Sequence, residues 1–158
     1  MEIRLKGGEK KNITDGVTLR ELAKDLHLHA PDQAEGVKIN GRLVDWGTPI
    51  KEGDLIEYLS FSDSLGKEIF WHTSAHILAQ AVLRLFPKAK PTIGPPIEHG
   101  FYYDFADLEI SDKDFERIEE EVEKIIGENY VTEMVAFPSK KGAEEAFKAN
   151  PFKLEIIK

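Results

Sequence analysis

Residues 37–46 read VKINGRLVDW. Asn40–Gly41 is the strongest short hairpin signal, because a type I′ turn needs positive φ at both central positions and these residues tolerate it. Two short strands are therefore expected on either side of it. Toward the amino terminus, Thr18 precedes Glu21 by three residues, the spacing of a capping box. Leu19, Leu22, Ala23 and Leu26 then share one helical face. Earlier still, residues 2–6 (EIRLK) put Ile3 and Leu5 on one side with period two, a half-buried strand. Residues 6–9 form a turn and 11–14 a return strand. Downstream, Gly53 marks a turn and 54–59 (DLIEYL) a last strand. The order strand, strand, helix, strand, strand, strand predicts an α+β sheet with one helix packed on a face.

Residues 60–67 (SFSDSLGK) are polar, contain Gly and read as a linker, dividing the chain into 1–61 and 62–158. A long helix is expected over 68–86, with Phe70, Ile77, Leu78, Ala81, Val82 and Leu85 as apolar positions, ended by Pro87. Residues 91–105 (PTIGPPIEHGFYYDF) suit a strand, loop and strand. Ser111, with Asp114 at the third helical position, caps another helix. Its apolar side is Phe115, Ile118, Val122, Ile125 and Ile126, and its acids read as a solvated face. A strand over 131–137, a helix capped by Ser139 and broken at Asn150–Pro151, and a strand over 152–157 (FKLEII) complete the reading. A strand with no closing turn at the last residue suggests a domain cut short.

The 158 residues carry a net charge of −8, and 41% are apolar. Residues 1–61 hold 9 basic and 11 acidic side chains, and 62–158 hold 12 and 18. Neither half has the Lys and Arg surplus of a nonspecific nucleic-acid binder, so any RNA contact is expected to be local. Cysteine is absent, which excludes disulfides and thiolate zinc sites within these residues. No apolar run is long enough for a membrane helix, and the first residues lack the apolar core of a signal peptide. The expected compartment is the cytoplasm, with no membrane partner.

The sharpest chemical signal is His72–Thr73–Ser74–Ala75–His76. Histidines at i and i+4 lie on one helical face. Such a pair can activate a water or act as metal ligands. The helix-borne zinc protease motif needs Glu at the second position, where this chain has Thr73. By itself the pair reads more readily as two structural histidines. The second signal is IGPPIEHGFYYDF at 93–105. Its glycines, Gly94 among them, permit tight backbone bends and close approach of a ligand. On a strand, Tyr102 and Tyr103 point to opposite faces, so one can be core while the other lines a pocket. His99 reads as a surface histidine.

The H-x-x-x-H motif continuing as ILAQAVLRLFP, followed by IGPPIEHGFYYDF, resembles the editing domain of threonyl-tRNA synthetases. GENYV at 127–131 and FKLEI at 152–156 extend the resemblance. Residues 1–61 resemble the ubiquitin-like β-grasp (TGS) domain that leads this family. The resemblance implies a TGS domain at 1–61 and the first part of an editing domain at 62–158. The parent enzyme would attach threonine to tRNA(Thr) with ATP, magnesium and zinc in a catalytic core absent here, work as a homodimer, and hydrolyse mischarged Ser-tRNA(Thr). By the same resemblance His72, His76 and Lys153 are catalytic, Tyr103 and Gly94 bind substrate, and His72 and His76 are candidate metal ligands. Position 152 is Phe where the family also has Tyr. The family's further C-x-x-x-H element has no counterpart here, so the pocket is expected to be incomplete, the piece inactive alone and without a cofactor. Two alternatives stand beside this reading: a free-standing alanyl-type tRNA editing protein, and a non-catalytic TGS module that binds RNA.

Overall fold

The computed structural model describes residues 1–28, 34–130 and 135–157. Packing divides the chain into two compact units, Met1–Phe70 and Trp71–Lys158.

In the first unit, β1 (Glu2–Leu5), β2 (Lys10–Asn12), β3 (Gly36–Ile39), β4 (Arg42–Val44) and β5 (Leu55–Leu59) form one sheet in the order β2-β1-β5-β3-β4. The central pair, β1 and β5, is parallel and the other pairings are antiparallel. Helix α1 (Leu19–Asp25) follows the first hairpin. This is the ubiquitin-like β-grasp, an α+β fold. Its core joins Ile3, Val37 and Ile56 of the sheet to Leu19 and Leu22 of α1, with Ile50. Burying each such side chain fully contributes about 1.5–3 kcal/mol. The capping box is present: Glu21 N donates to Thr18 Oγ1 at 3.2 Å, and Thr18 N donates to the Glu21 carboxylate at 2.9 Å.

The turn between β3 and β4 has φ of 52° at Asn40 and 81° at Gly41. Asn40 does more than turn the chain. Its Nδ2 donates to Asp54 at 2.8 Å and its Oδ1 accepts from Leu55 N at 3.0 Å. The turn is thereby tied to the start of β5, and the buried Asp54 carboxylate is satisfied.

The second half of the expected linker over 60–67 is helix, because α2 runs Ser64–Leu85. Asp63 accepts through its carboxylate from Ser60 N, and its carbonyl accepts from Lys67 N. A Cβ at Gly66 would come closer than 3.0 Å to the Ser60 carbonyl oxygen. The glycine that suggested a linker is there to let the chain pass close at the helix entry.

In the second unit, residues 90–106 are two hairpins, one inside the other. β6 (Lys90–Pro91) pairs with β9 (Phe105–Ala106), and β7 (Pro96–Ile97) pairs with β8 (Gly100–Phe101). Helix α3 (Asp112–Glu128) packs Ile118 and Ile125 against Ala81 and Val82 of α2, with Phe105 and Leu108 alongside. Phe115 and Ile126, expected on its apolar side, are exposed. Its acids are not merely solvated. Asp114 accepts from the Ser111 amide at 2.9 Å, and Glu121 and Glu128 hold the Arg84 guanidinium at 3.0 and 2.7 Å.

The expected strand over 131–137 falls partly outside the described residues, and residues 135–137 are not in a strand. Helix α4 (Lys140–Ala146) is capped by Ser139, whose Oγ accepts from Gly142 N at 3.2 Å. The expected strand over 152–157 is instead helix α5 (Pro151–Ile157). Asn150 Oδ1 accepts from Phe152 N and Lys153 N, so Asn-Pro is an N-cap followed by proline in the first turn. The alternating apolar residues of FKLEII suggested a strand, but the cap chemistry prevails. The inference of a domain cut short in mid-strand loses its basis.

Candidate functional site

Helix spacing brings the two histidines together. On α2, His72 Nε2 and His76 Nε2 are 2.9 Å apart, with ring centroids 4.6 Å apart and planes at 64°. One ring nitrogen must donate and the other accept, so the pair shares a single proton across this contact when both rings are neutral. Both side chains keep solvent access. Partial burial, then the neighbouring His72 and Lys153, push the His76 pKa below its ordinary value. All three influences favour a neutral imidazole, the form able to accept a proton.

His76, Tyr103 and Lys153 line one open groove of about 560 Å³, together with Gln80, Pro91 and Phe147. Lys153 reaches it from the first turn of α5, not from a strand. Asn150 sets that turn twice over: its Oδ1 caps α5, and its Nδ2 donates to Pro91 O at 2.9 Å, fastening α5 to the hairpin. Tyr103 is half-buried and stacks on Phe105, centroids 4.8 Å apart. Desolvation pushes its phenol pKa up, so it stays a neutral hydrogen-bonding group.

Gly94 lies under Tyr103. A Cβ there would fall closer than 3.0 Å to the tyrosine ring. The chain is held in this register by Thr92 N donating to Asp104 O at 3.0 Å and Asp104 N donating to Ile93 O at 2.9 Å. Gly94 thus seats the aromatic ring. Tyr102, the neighbour, is exposed, as is His99 in the inner hairpin turn.

The α2 wall of the groove also contains Leu83 and Arg84. His76, Gln80 and Arg84 follow i, i+4, i+8, so their shared stripe is readable from the sequence once His76 is chosen. Phe147, at the carboxyl end of α4, had no such signal. Its place depends on tertiary packing, including an edge-on contact with Phe137 at 6.2 Å.

Two imidazoles supply two donors. Among the described residues no group of three or more His, Asp or Glu side chains gathers in position to hold a metal. The donor set at His72 and His76 therefore does not fit a closed tetrahedral site, which needs four ligands. No helix among the described residues is long and apolar enough to cross a membrane.

A lysine, a His76 held toward its neutral form beside His72, and a tyrosine hydroxyl around one groove can orient a water, accept its proton and stabilise an oxyanion. Comparison with known proteins bears on what such a groove serves. Residues 1–59 match the TGS domain. The chain is 52% identical over 157 residues to a threonine–tRNA ligase of Protochlamydia amoebophila (strain UWE25), covering 99% of this chain and 24% of that protein. It is 49% identical over 153 residues to that of Chlamydia pneumoniae, covering 95% of this chain and 24% of the relative. It is 45% identical over 160 residues to that of Caldanaerobacter subterraneus subsp. tengcongensis, covering 99% and 25%. The chain thus spans about a quarter of the length of these relatives.

Proposed function

We propose, from the premise that these 158 residues carry a TGS domain and correspond to about a quarter of a threonine–tRNA ligase, that the groove is part of a site hydrolysing serine from mischarged tRNA(Thr). The observation that carries this reading is the convergence of His76, Tyr103 and Lys153, from three separate elements, on one groove next to the His72 contact. In this reading residues 1–61 are the TGS domain and 62–158 belong to the editing domain. The longer protein charges tRNA(Thr) with threonine, using ATP, magnesium and zinc elsewhere, as a cytoplasmic homodimer.

The chemical need for such a site is a matter of magnitude. Serine lacks one methyl of threonine, and a pocket gains only about 1–3 kcal/mol from a methylene-sized difference. A second site that cleaves the wrong ester supplies the remaining discrimination. The bond to break joins the seryl carbonyl to the terminal ribose. Neutral His76, in contact with His72, orients a water and takes its proton as the oxygen attacks the carbonyl carbon; the proton then passes to the ribose oxygen as the ester C–O bond breaks, releasing serine and the free ribose hydroxyl. The Lys153 ammonium faces the oxyanion that develops. Tyr103, seated on Gly94, holds the substrate by its hydroxyl and ring.

Among the described residues this groove is lined by no carboxylate, so the 158-residue chain alone is expected to deacylate Ser-tRNA(Thr) poorly. The test places this sequence in a full-length threonine–tRNA ligase. His76→Ala or His72→Ala should let Ser-tRNA(Thr) accumulate while threonylation stays near the unaltered rate. An equal loss of both activities would make the histidines structural. Rapid hydrolysis by the 158-residue chain itself would overturn the claim that it holds only part of the site.

A further inference from the structure

Tyr103 lines the hydrolytic groove and also a second pocket, of about 400 Å³, for which ester hydrolysis has no use. Leu78 and Val82 of α2, Phe105 of the outer hairpin and Ile118 of α3 give this pocket an apolar lining. Val82 and Ile118 are buried, whereas Ile110 and Phe115, which line it too, keep 45% and 50% of their surface exposed. The packing of α2 against α3 thus fixes one side of the pocket, and the other side is open to a ligand. Small-molecule sites have volumes in this range, with apolar walls and a few placed polar groups.

The charged groups here are two carboxylates. Asp104 and Glu119 line the pocket, and among the described residues no Lys, Arg or His does. Neither carboxylate has an ion pair or a side-chain hydrogen bond among the described residues. They come from separate elements. The Asp104 backbone is fixed by its N–H, which donates to Ile93 O at 2.9 Å, and by its carbonyl, which accepts from Thr92 N at 3.0 Å. Glu119 follows the buried Ile118 on α3. The cations around α3 serve other acids: Arg84 is held by Glu121 and Glu128, Lys124 by Glu121 and Arg117 by Asp114. Lys113, the remaining cation of α3, is about 120° round the helix from Glu119. Three aromatic rings share the site: Tyr103 and Phe105, stacked with centroids 4.8 Å apart, and Phe115.

We infer that this pocket binds a small organic ammonium ion, its apolar body on Leu78, Val82 and Ile118 and its charge answered by Asp104 and Glu119. Unmatched carboxylates beside aromatic rings attract a cation twice, through the opposite charge and through the negative ring faces. A neutral molecule of the same shape gains only the apolar contact, and an anion is repelled. The site asks nothing of the hydrolytic reading. Because Tyr103 belongs to both pockets, a bound ammonium also touches a wall of the groove.

The probes are tryptamine, its neutral analogue tryptophol and the anion indolepropionate, each titrated into the 158-residue chain. Binding is read from the Phe115 ring and Ile118 methyl resonances. Tryptamine should move both along one saturating curve, about fivefold more tightly than tryptophol, as two partly exposed ion pairs allow, and indolepropionate should bind least. Glu119→Gln together with Asp104→Asn should erase the preference for the amine and leave tryptophol binding as it was. Phe115→Ala, at a half-exposed position that the fold does not depend on, should weaken tryptamine and tryptophol alike. Tryptophol binding as tightly as tryptamine to the unaltered chain would overturn the inference, since the carboxylates would then select nothing. Shifts centred on His76 and Lys153 would overturn it too, by placing the amine in the groove. Self-association of the chain that tryptamine displaces would assign the pocket to a second copy and not to a small ligand.

Discussion

At the residue scale the histidine pair and the glycine under Tyr103 make the sharpest demands. His76 has a depressed pKa, so just below its ordinary value of 6.5 the unfolded chain holds a proton that the folded chain refuses. Stability therefore rises with pH through the window below 6.5 and levels off above it. The urea midpoint of the unaltered chain should climb between pH 5.5 and 7, and His76→Gln should flatten that climb. Identical slopes in the two proteins would show that the ring is not held neutral. Gly94→Ala places a methyl against the Tyr103 ring. It should cost about 1–3 kcal/mol of stability, the usual range for overpacking, and should disturb the Tyr103 resonances. A substitution without effect on either would mean that the ring is not seated there. The histidine spacing was legible in the sequence because helix periodicity dictates it, whereas Tyr102 and Tyr103, expected on a strand, lie between β8 and β9 and differ in exposure for reasons of local packing. The role of Gly94 was legible only in outline: close approach was expected for a ligand, and the Tyr103 ring is what lies against it.

At the scale of elements, reading succeeded where chemistry was local and failed where one residue could serve two purposes. The Asn40–Gly41 turn and the Thr18–Glu21 box need only neighbours in sequence, and both stand as expected. Asn150–Pro151 was read as the end of one helix and is also the start of the next. Gly66 was read as a linker residue and sits in the first turn of α2. The misreading of α5 matters for the site, because a lysine on a helix turn depends on its cap for position. Asn150→Ala removes both the cap and the tether to Pro91. It should destabilise the second unit by about 1 kcal/mol and weaken binding of a seryl-adenosine amide, with Asn150→Asp recovering the cap but not the donor to Pro91. If Asn150→Ala binds the amide as tightly as the unaltered chain, α5 does not need this anchor to present Lys153.

At the scale of the whole molecule, charge and length set the limits. The β-grasp was legible through its element order, since strands and helix of that order leave few ways to pack one sheet. The groove was not, because its walls come from α2, the outer hairpin, α4 and α5, and no periodicity links them. With 21 basic and 29 acidic residues, the chain should bind an isolated tRNA weakly and with a shallow salt dependence, reflecting a few phosphate contacts. A steep slope would indicate a large RNA footprint that the charge pattern does not suggest. The most direct test of the central claim is an NMR titration of the 158-residue chain with the amide analogue of seryl-adenosine. The account predicts that the resonances of His76, Tyr103 and Lys153 move together along one saturating curve, with the threonyl analogue perturbing them less. Shifts confined to other surfaces, with those three side chains unmoved, would contradict it.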